Sequence, residues 1–312
     1  MITLEKLVKR YGEVLAVDEV SMTVEPRTIT TIVGTSGSGK STLLRMINRL
    51  VEPSSGRVLI DGRDVAHEPP HLLRRRIGYV IQGFGLFPHR TVAENVATVP
   101  QLLGWDASRV QARVEELLAV FGLEPRVYAT KYPHELSGGQ QQRVGVARAL
   151  AAAPDLLLMD EPFGALDAIL RARAQDDLLA IQRRFGTTIV LVTHDIDEAF
   201  RLGDRVAVMR DGRLLQHDRP ADLVRRPADP FVAQLIGTGE RSLRLLALLT
   251  AAEVARPGSG DGPSVPATAT LREVLAELVW RGATVATVVD AAGVAIGHVS
   301  LADVLARGRP AP

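Results

Sequence analysis

The chain has 312 residues, of which 46% are hydrophobic and only 4% aromatic, enough for about two domains built on aliphatic cores. Lys and Arg total 37 against 36 Asp and Glu, a net charge of +1, which argues against a broad nucleic-acid surface. Cysteine is absent, so disulfides and thiolate metal sites are excluded and a reducing compartment is compatible.

The N-terminal stretch Met1-Ile2-Thr3-Leu4-Glu5-Lys6 has no apolar signal core. No apolar run approaches the ~20 residues a membrane helix needs. The expectation is a soluble chain whose membrane role, if any, comes through a partner. Residues 2–24 alternate as short strands about a turn at Tyr11-Gly12. Tyr11 has two readings: its ring stacks on a purine or covers a sheet edge.

Thr28 to Val33 is an apolar, β-branched run that reads as a buried strand. Gly34, Thr35, Ser36, Gly37, Ser38, Gly39, Lys40, Ser41 and Thr42 follow and match G-x-x-x-x-G-K-[ST] at every fixed position. Residues 42–47 continue as a helix. Strand, glycine loop and helix together cradle a phosphate chain. Glycines let the backbone curl so that several N–H groups point inward, and the helix start adds partial positive charge. Lys40 supplies a full charge, and the Ser41 hydroxyl suits Mg²⁺.

Arg57 to Ile60 predicts a strand ending in the turn Asp61-Gly62, and Arg74-Arg75-Arg76 a solvated basic face. Ile77 to Ile81 predicts a strand that delivers Gln82 to a glycine-flanked loop carrying Phe84 and Phe87. A polar residue there suits a switch segment, though a solvated glutamine in an ordinary loop has the same pattern. Residues 91–123 read as helical, with Asp106 or Ser108 as a cap and Val110, Val114, Leu117 and Leu118 on one face. Ser137 caps a further helix behind Gly138 and Gly139. This is a second anion site or simply a capped helix.

Leu156 to Met159 is a buried strand ending in Asp160 and Glu161. Strand alternation sends the two carboxylates to opposite sides, so one reaches Mg²⁺ near Ser41 and the other holds a water. Asp167 closes a turn before a helix and could cap it. Thr187 to Thr193 predicts another buried strand, with His194 just past its end at the mouth of the site. Residues 205–215 read as a closing hairpin.

Together these motifs resemble the ATP-binding cassette (ABC) ATPases over roughly the first three quarters of the chain. The Walker A loop is Gly34 to Thr42, and the Q-loop carries Gln82. The signature is Leu136-Ser137-Gly138-Gly139-Gln140, and Walker B is Leu156 to Asp160 followed by Glu161. The D-loop is Ala165-Leu166-Asp167, and the switch histidine is His194. The resemblance implies a P-loop NTPase α/β fold. Its parts are a mixed RecA-like sheet core, an antiparallel β edge and a helical signature subdomain at about 88–155, within a cassette spanning 1–240. It implies ATP and Mg²⁺ as ligands, with Tyr11, Gln82 and the Walker A residues on the nucleotide. Ser41, Gln82 and Asp160 serve the metal, and Glu161 and His194 are catalytic. It also implies a head-to-tail homodimer, in which Ser137, Gly138, Gly139, Gln140 and Asp167 of one copy close over the ATP of the other.

The wording of residues 46–53, 79–89 and 162–167 is closest to importer subunits for quaternary amines such as glycine betaine, choline and proline betaine. Gly83 departs slightly from that pattern. Such a subunit is peripheral on the cytoplasmic face of the inner membrane and works with permease subunits and, indirectly, a solute-binding protein, with no nucleic-acid partner. Alternatives are import of another solute, such as an amino acid, or a soluble non-transport ABC ATPase.

From Arg241 the composition changes. Residues 257–263 predict a flexible loop. A helix follows with Leu271, Val274, Leu275, Leu278 and Val279 on one face, then strands at 283–289 and 294–299 and a last helix from Ser300. This resembles one small α/β cystathionine-β-synthase-type (CBS) repeat at 241–312, regulatory or dimerising, with an adenine nucleotide as an implied ligand. Related subunits carry two repeats, so the tails of a dimer are expected to pair. Ser300 and Asp303 could touch a ribose but fit a capping box better.

Overall fold

A computed structural model of the chain describes residues 1–83, 85–237, 239–258 and 260–309. Phe84 and Ser259, part of the loops read above, lie outside the described residues. The chain divides into two compact units between His217 and Asp218.

In the first unit, the long strands β1 (Ile2–Tyr11) and β2 (Val14–Val24) pair antiparallel. Around them lies a four-stranded sheet of order β2-β1-β4-β5, completed by β4 (Ser55–Ile60) and β5 (Arg63–Asp64). The larger sheet holds β3 (Ile29–Val33), β6 (Ile77–Val80), β7 (Leu156–Asp160), β8 (Thr188–Thr193), β9 (Arg205–Arg210) and β10 (Arg213–Asp218) in the order β10-β9-β3-β8-β7-β6. Strands β9, β3, β8, β7 and β6 run parallel.

The parallel strands read as continuous apolar runs because both faces of this sheet are buried. Leu157, Met159, Ile189 and Leu191 join one core cluster. Their alternates Leu156, Leu158, Val190 and Val192 join the other, which also holds Leu4, Leu7 and Val17 of the antiparallel sheet. The strands are therefore clamped between two apolar layers and deliver their C-terminal residues to one edge.

The helices Val92–Leu102, Ala107–Val120 and Gly138–Leu150 pack in the first cluster through Val96, Val114, Leu117 and Val144. Asp106 caps the second, accepting from the Arg109 N–H at 2.8 Å, while Ser108 bonds back to Asp106. The basic run is more than a solvated face. Arg74 donates to the carbonyls of Asn48 and Arg49, closing the end of the helix Lys40–Ile47, and Arg76 pairs with Glu68.

In the second unit, β11 (Ser264–Pro266), β12 (Val285–Val289) and β13 (Ala295–Ser300) form a three-stranded sheet. The helices Leu271–Arg281 and Leu301–Arg307 join its core through Leu271, Val274, Leu278 and Val304. Val279, expected on the apolar face, is 69% exposed. It follows Leu278 directly, and adjacent helix positions diverge by about 100°. Ser300 and Asp303 form the expected capping box.

Candidate functional site

The loop Gly34–Gly39 takes its shape from close backbone approach. A side chain at Gly34 would run into the Met209 carbonyl, and one at Gly39 into the Ala16 carbonyl. Gly39 also sits at φ 92°, in the left-handed region. Ser38 N–H donates to the Thr35 carbonyl at 3.2 Å, and Gly212 N–H to the Ser38 carbonyl at 3.3 Å. Thr35, Ser36 and Gly37 face solvent, while Thr42 is half-buried.

Lys40, only 5% exposed, turns its ammonium into the loop. It donates to the Gly34 and Thr35 carbonyls at 2.8 Å each and to Ser38 Oγ at 3.4 Å. Burial pulls its pKa below the usual lysine value, and the nearby Glu161 and Asp160 carboxylates pull it back.

Asp160 ends β7 and is 1% exposed. Its Oδ1 accepts from Ser41 Oγ at 2.7 Å and its Oδ2 from Arg45 Nη2 at 3.1 Å. Two hard oxygens sit side by side, a donor set that suits Mg²⁺ shared with phosphate oxygens. Arg45 balances the buried charge and also bonds Tyr79, whose hydroxyl is pushed up chiefly by burial. Sequence reasoning missed Arg45. Its place four residues after Ser41 puts both on one helix face, which is the signal that could have found it.

Glu161 is not the last residue of the strand. It lies just beyond, at φ 46°, with its N–H donating to the Val192 carbonyl at 3.0 Å. The left-handed turn, rather than strand alternation, separates it from Asp160; such a backbone costs about 1–2 kcal/mol without glycine. Gln82 Nε2 donates to Glu161 Oε2 at 3.4 Å, and His194 Nδ1 stands 3.4 Å from the same oxygen. Two residues, from beyond the ends of β6 and β8, thus meet on the carboxylate that follows β7. Gln82 meets Glu161 in this geometry rather than Asp160.

The hydrogen-bonded cluster around Lys40, Asp160 and Glu161 includes neither Tyr11 nor Ser137 among the described residues. Tyr11 ends β1 at 49% exposure with the Lys9 ammonium 5.0 Å from its ring centre. Ser137 is exposed and caps the helix Gly138–Leu150, sharing a capping box with Gln140. Asp167 caps the helix Ala168–Phe185, accepting from Ile169 and Leu170 N–H at 3.0 Å each. Among the described residues no helix is long and apolar enough to cross a membrane.

The chain as a whole has counterparts among known proteins. The ABC transporter family profile matches residues 17–164. The chain is 47% identical to the glycine betaine uptake system ATP-binding protein YehX of Escherichia coli, covering 98% of this chain and 99% of that one. It is 45% identical to the osmoprotectant import ATP-binding protein OsmV of Salmonella typhimurium, over 96% of this chain and 79% of that one. With the choline transport ATP-binding protein OpuBA of Bacillus subtilis it shares 49% identity over 76% of this chain and 62% of that one. Among solved structures, the dimeric post-hydrolysis state of the cassette MJ0796 bound to ADP and Pi superposes with a TM-score of 0.63 at 35% identity, over 70% of this chain and 98% of that one. The chain belongs to the ABC transporter family, among its ATP-binding subunits.

Proposed function

We infer that the chain hydrolyses ATP to drive import of a quaternary-amine osmoprotectant through a separate membrane permease. The observation that carries the hydrolytic reading is the junction of Gln82, Glu161 and His194 beside the Lys40 loop. In this reading Tyr11 stacks the base. Lys40 and the amides of Gly34 to Thr42 hold the phosphates, and Ser41, Gln82 and Asp160 hold Mg²⁺. The metal, when bound, neutralises charge on the phosphate oxygens. Glu161 polarises the attacking water, and His194 donates toward the terminal phosphate.

Ser137, Gly138, Gly139, Gln140 and Asp167 complete the site of the other copy in a two-fold dimer. Two unit charges about 4 Å apart interact by roughly 4 kcal/mol at an effective dielectric near 20, enough for a γ-phosphate contact to bias closure. Hydrolysis removes that contact and lets the pair open.

The permease docks on the loop after Gln82 and the adjoining helices. Asn95 holds both the N–H and the carbonyl of Phe87, whose ring lies between Arg90 and Arg148 at 5.2 and 5.5 Å. An apolar groove of about 480 Å³ lined by Ala93, Ala97, Trp105, Val110 and Val114 is close by. The subunit is peripheral on the cytoplasmic side, and its tail at 241–312 is a CBS-like regulatory or dimerising element. The names of the relatives support the solute class.

The test is uptake of labelled glycine betaine, choline and amino acids by cells with and without the chain, together with purification from membranes. Import of a quaternary amine that depends on Lys40, with a polytopic protein co-purifying, is the expected result. Uptake of amino acids alone, or recovery with ribosomes instead of a permease, overturns it.

A further inference from the structure

The helix Ala168–Phe185 begins at Asp167, and the helix Ile196–Leu202 begins just after His194. Three polar contacts join them like rungs. Arg171 lies 3.8 Å from Asp195, Gln175 Nε2 donates to Glu198 Oε2 at 3.0 Å, and Arg201 pairs with Asp176 at 2.8 Å. The outer rungs are solvent-exposed and contribute little. The middle rung differs, because Gln175 and Glu198 are each only 5% exposed.

Both sides of this ladder start at working residues. Arg171 Nη2 donates to the Leu166 carbonyl at 3.2 Å, in the turn before Asp167. On the other side of that rung Thr193, next to His194, bonds the Glu198 carboxyl, and its Oγ1 accepts from the Asp195 N–H at 3.0 Å. The Asp195 carboxylate accepts from the N–H groups of Asp197 and Glu198. The groups facing Glu198 are thus Gln175 and Arg171 from the neighbouring helix, Thr193 from β8, and Asp195 from its own turn. Burial pushes the carboxyl pKa up, against the hydrogen bonds of Thr193 and Gln175.

A buried carboxyl is an expensive way to join two helices. Apolar side chains of equal volume would pack there at lower cost. A hydrogen-bonded pair supplies direction instead, since it loses strength steeply when its angle changes while apolar contacts slide.

We propose that Gln175 and Glu198 are positioning residues that bind the His194 turn to the Asp167 helix, so that the group meeting Glu161 and the turn at Leu166-Asp167 move as one body. This rests on the hydrolytic reading above. A hydrolytic site depends on sub-ångström placement, and the His194 side chain is itself 62% exposed. The ladder gives that turn its fixed frame.

The test uses the full chain and steady-state ATP turnover. Gln175→Met keeps the volume and removes the donor; it lowers kcat about tenfold with KM for ATP within about twofold, because binding is made elsewhere while alignment is lost. Glu198→Gln keeps most of kcat, since a neutral amide still accepts from Gln175. The exchanged double variant Gln175→Glu/Glu198→Gln re-forms the bond with roles reversed and recovers kcat to within about threefold. Melting temperature is read alongside. Undiminished kcat in Gln175→Met, a rise in KM alone, or failure of the exchanged pair to recover turnover overturns the ladder. A wild-type chain with no turnover overturns the hydrolytic reading itself.

Discussion

Replacing Glu161 with glutamine separates chemistry from folding more sharply than any other change at the site. Its side chain is 23% exposed and makes two contacts, both at 3.4 Å, with Gln82 and His194. A glutamine oxygen in the same place still accepts from Gln82, and partly exposed pairs of this length contribute at most about 1 kcal/mol. The melting temperature should therefore shift by no more than about 4 °C. Turnover is another matter. A group that takes a proton from the attacking water contributes about 10²–10⁴ in rate, or about 3–5.5 kcal/mol at 1.36 kcal/mol per decade.

ATP binding should be kept or tightened, because a negative charge facing the phosphates is gone while Lys40 and the loop amides are untouched. Phosphate release, binding of a fluorescent nucleotide and light scattering with MgATP measure the three quantities. The expected protein melts almost normally, binds ATP, pairs on it and does not turn over. Unchanged steady-state hydrolysis would refute the role of Glu161, and loss of binding together with turnover would show that the carboxylate holds nucleotide instead.

Gly39→Ala places a methyl against the Ala16 carbonyl at φ 92°; backbone strain of about 1–3 kcal/mol plus the clash should abolish ATP binding, as isothermal titration will read. Asn95→Ala, at a position 0% exposed, orphans the Phe87 N–H and the Arg90 carbonyl, while the Phe87 and Thr91 carbonyls keep the Arg90 and Asn95 backbone N–H groups. At about 1–3 kcal/mol per buried unsatisfied group, denaturant unfolding should show a loss of at least 2 kcal/mol on the same scale. Glu198 gives a pH signature. Its folded-state pKa is raised by burial, so its stabilising contribution is complete below the ordinary glutamate value and declines as pH rises through the folded value. Thermal melts across pH should show that decline in the wild type and a flatter profile in Glu198→Gln.

The strands around the site were legible because burial on both faces of the sheet forces continuous apolar runs, and each run gives way to a glycine or a polar residue at its C-terminal end. Walker A was readable for a related reason: only glycine tolerates the approach of Met209 and Ala16 carbonyls. What escaped were interactions between distant segments. Arg45 looks like an ordinary helix surface residue until β7 brings Asp160 beside it. Arg74 reads as solvated until the end of the helix Lys40–Ile47 presents its carbonyls. Glu161 was given the right neighbourhood for the wrong geometric reason, since strand periodicity carries no information about a left-handed residue after the last pair. The helix Arg241–Ala247 and the three-residue strand β11 are too short to leave a periodic trace.

The ammonium of Lys40, resting on the carbonyls of Gly34 and Thr35, bears on how a spent nucleotide departs. A cation that could be satisfied only by substrate would grip the product as tightly, and escape would limit every cycle. Here the charge has seats built from the main chain, so in the proposed cycle the lysine would keep carbonyl partners once a phosphate had left, and the nest would keep its curl for the next occupant.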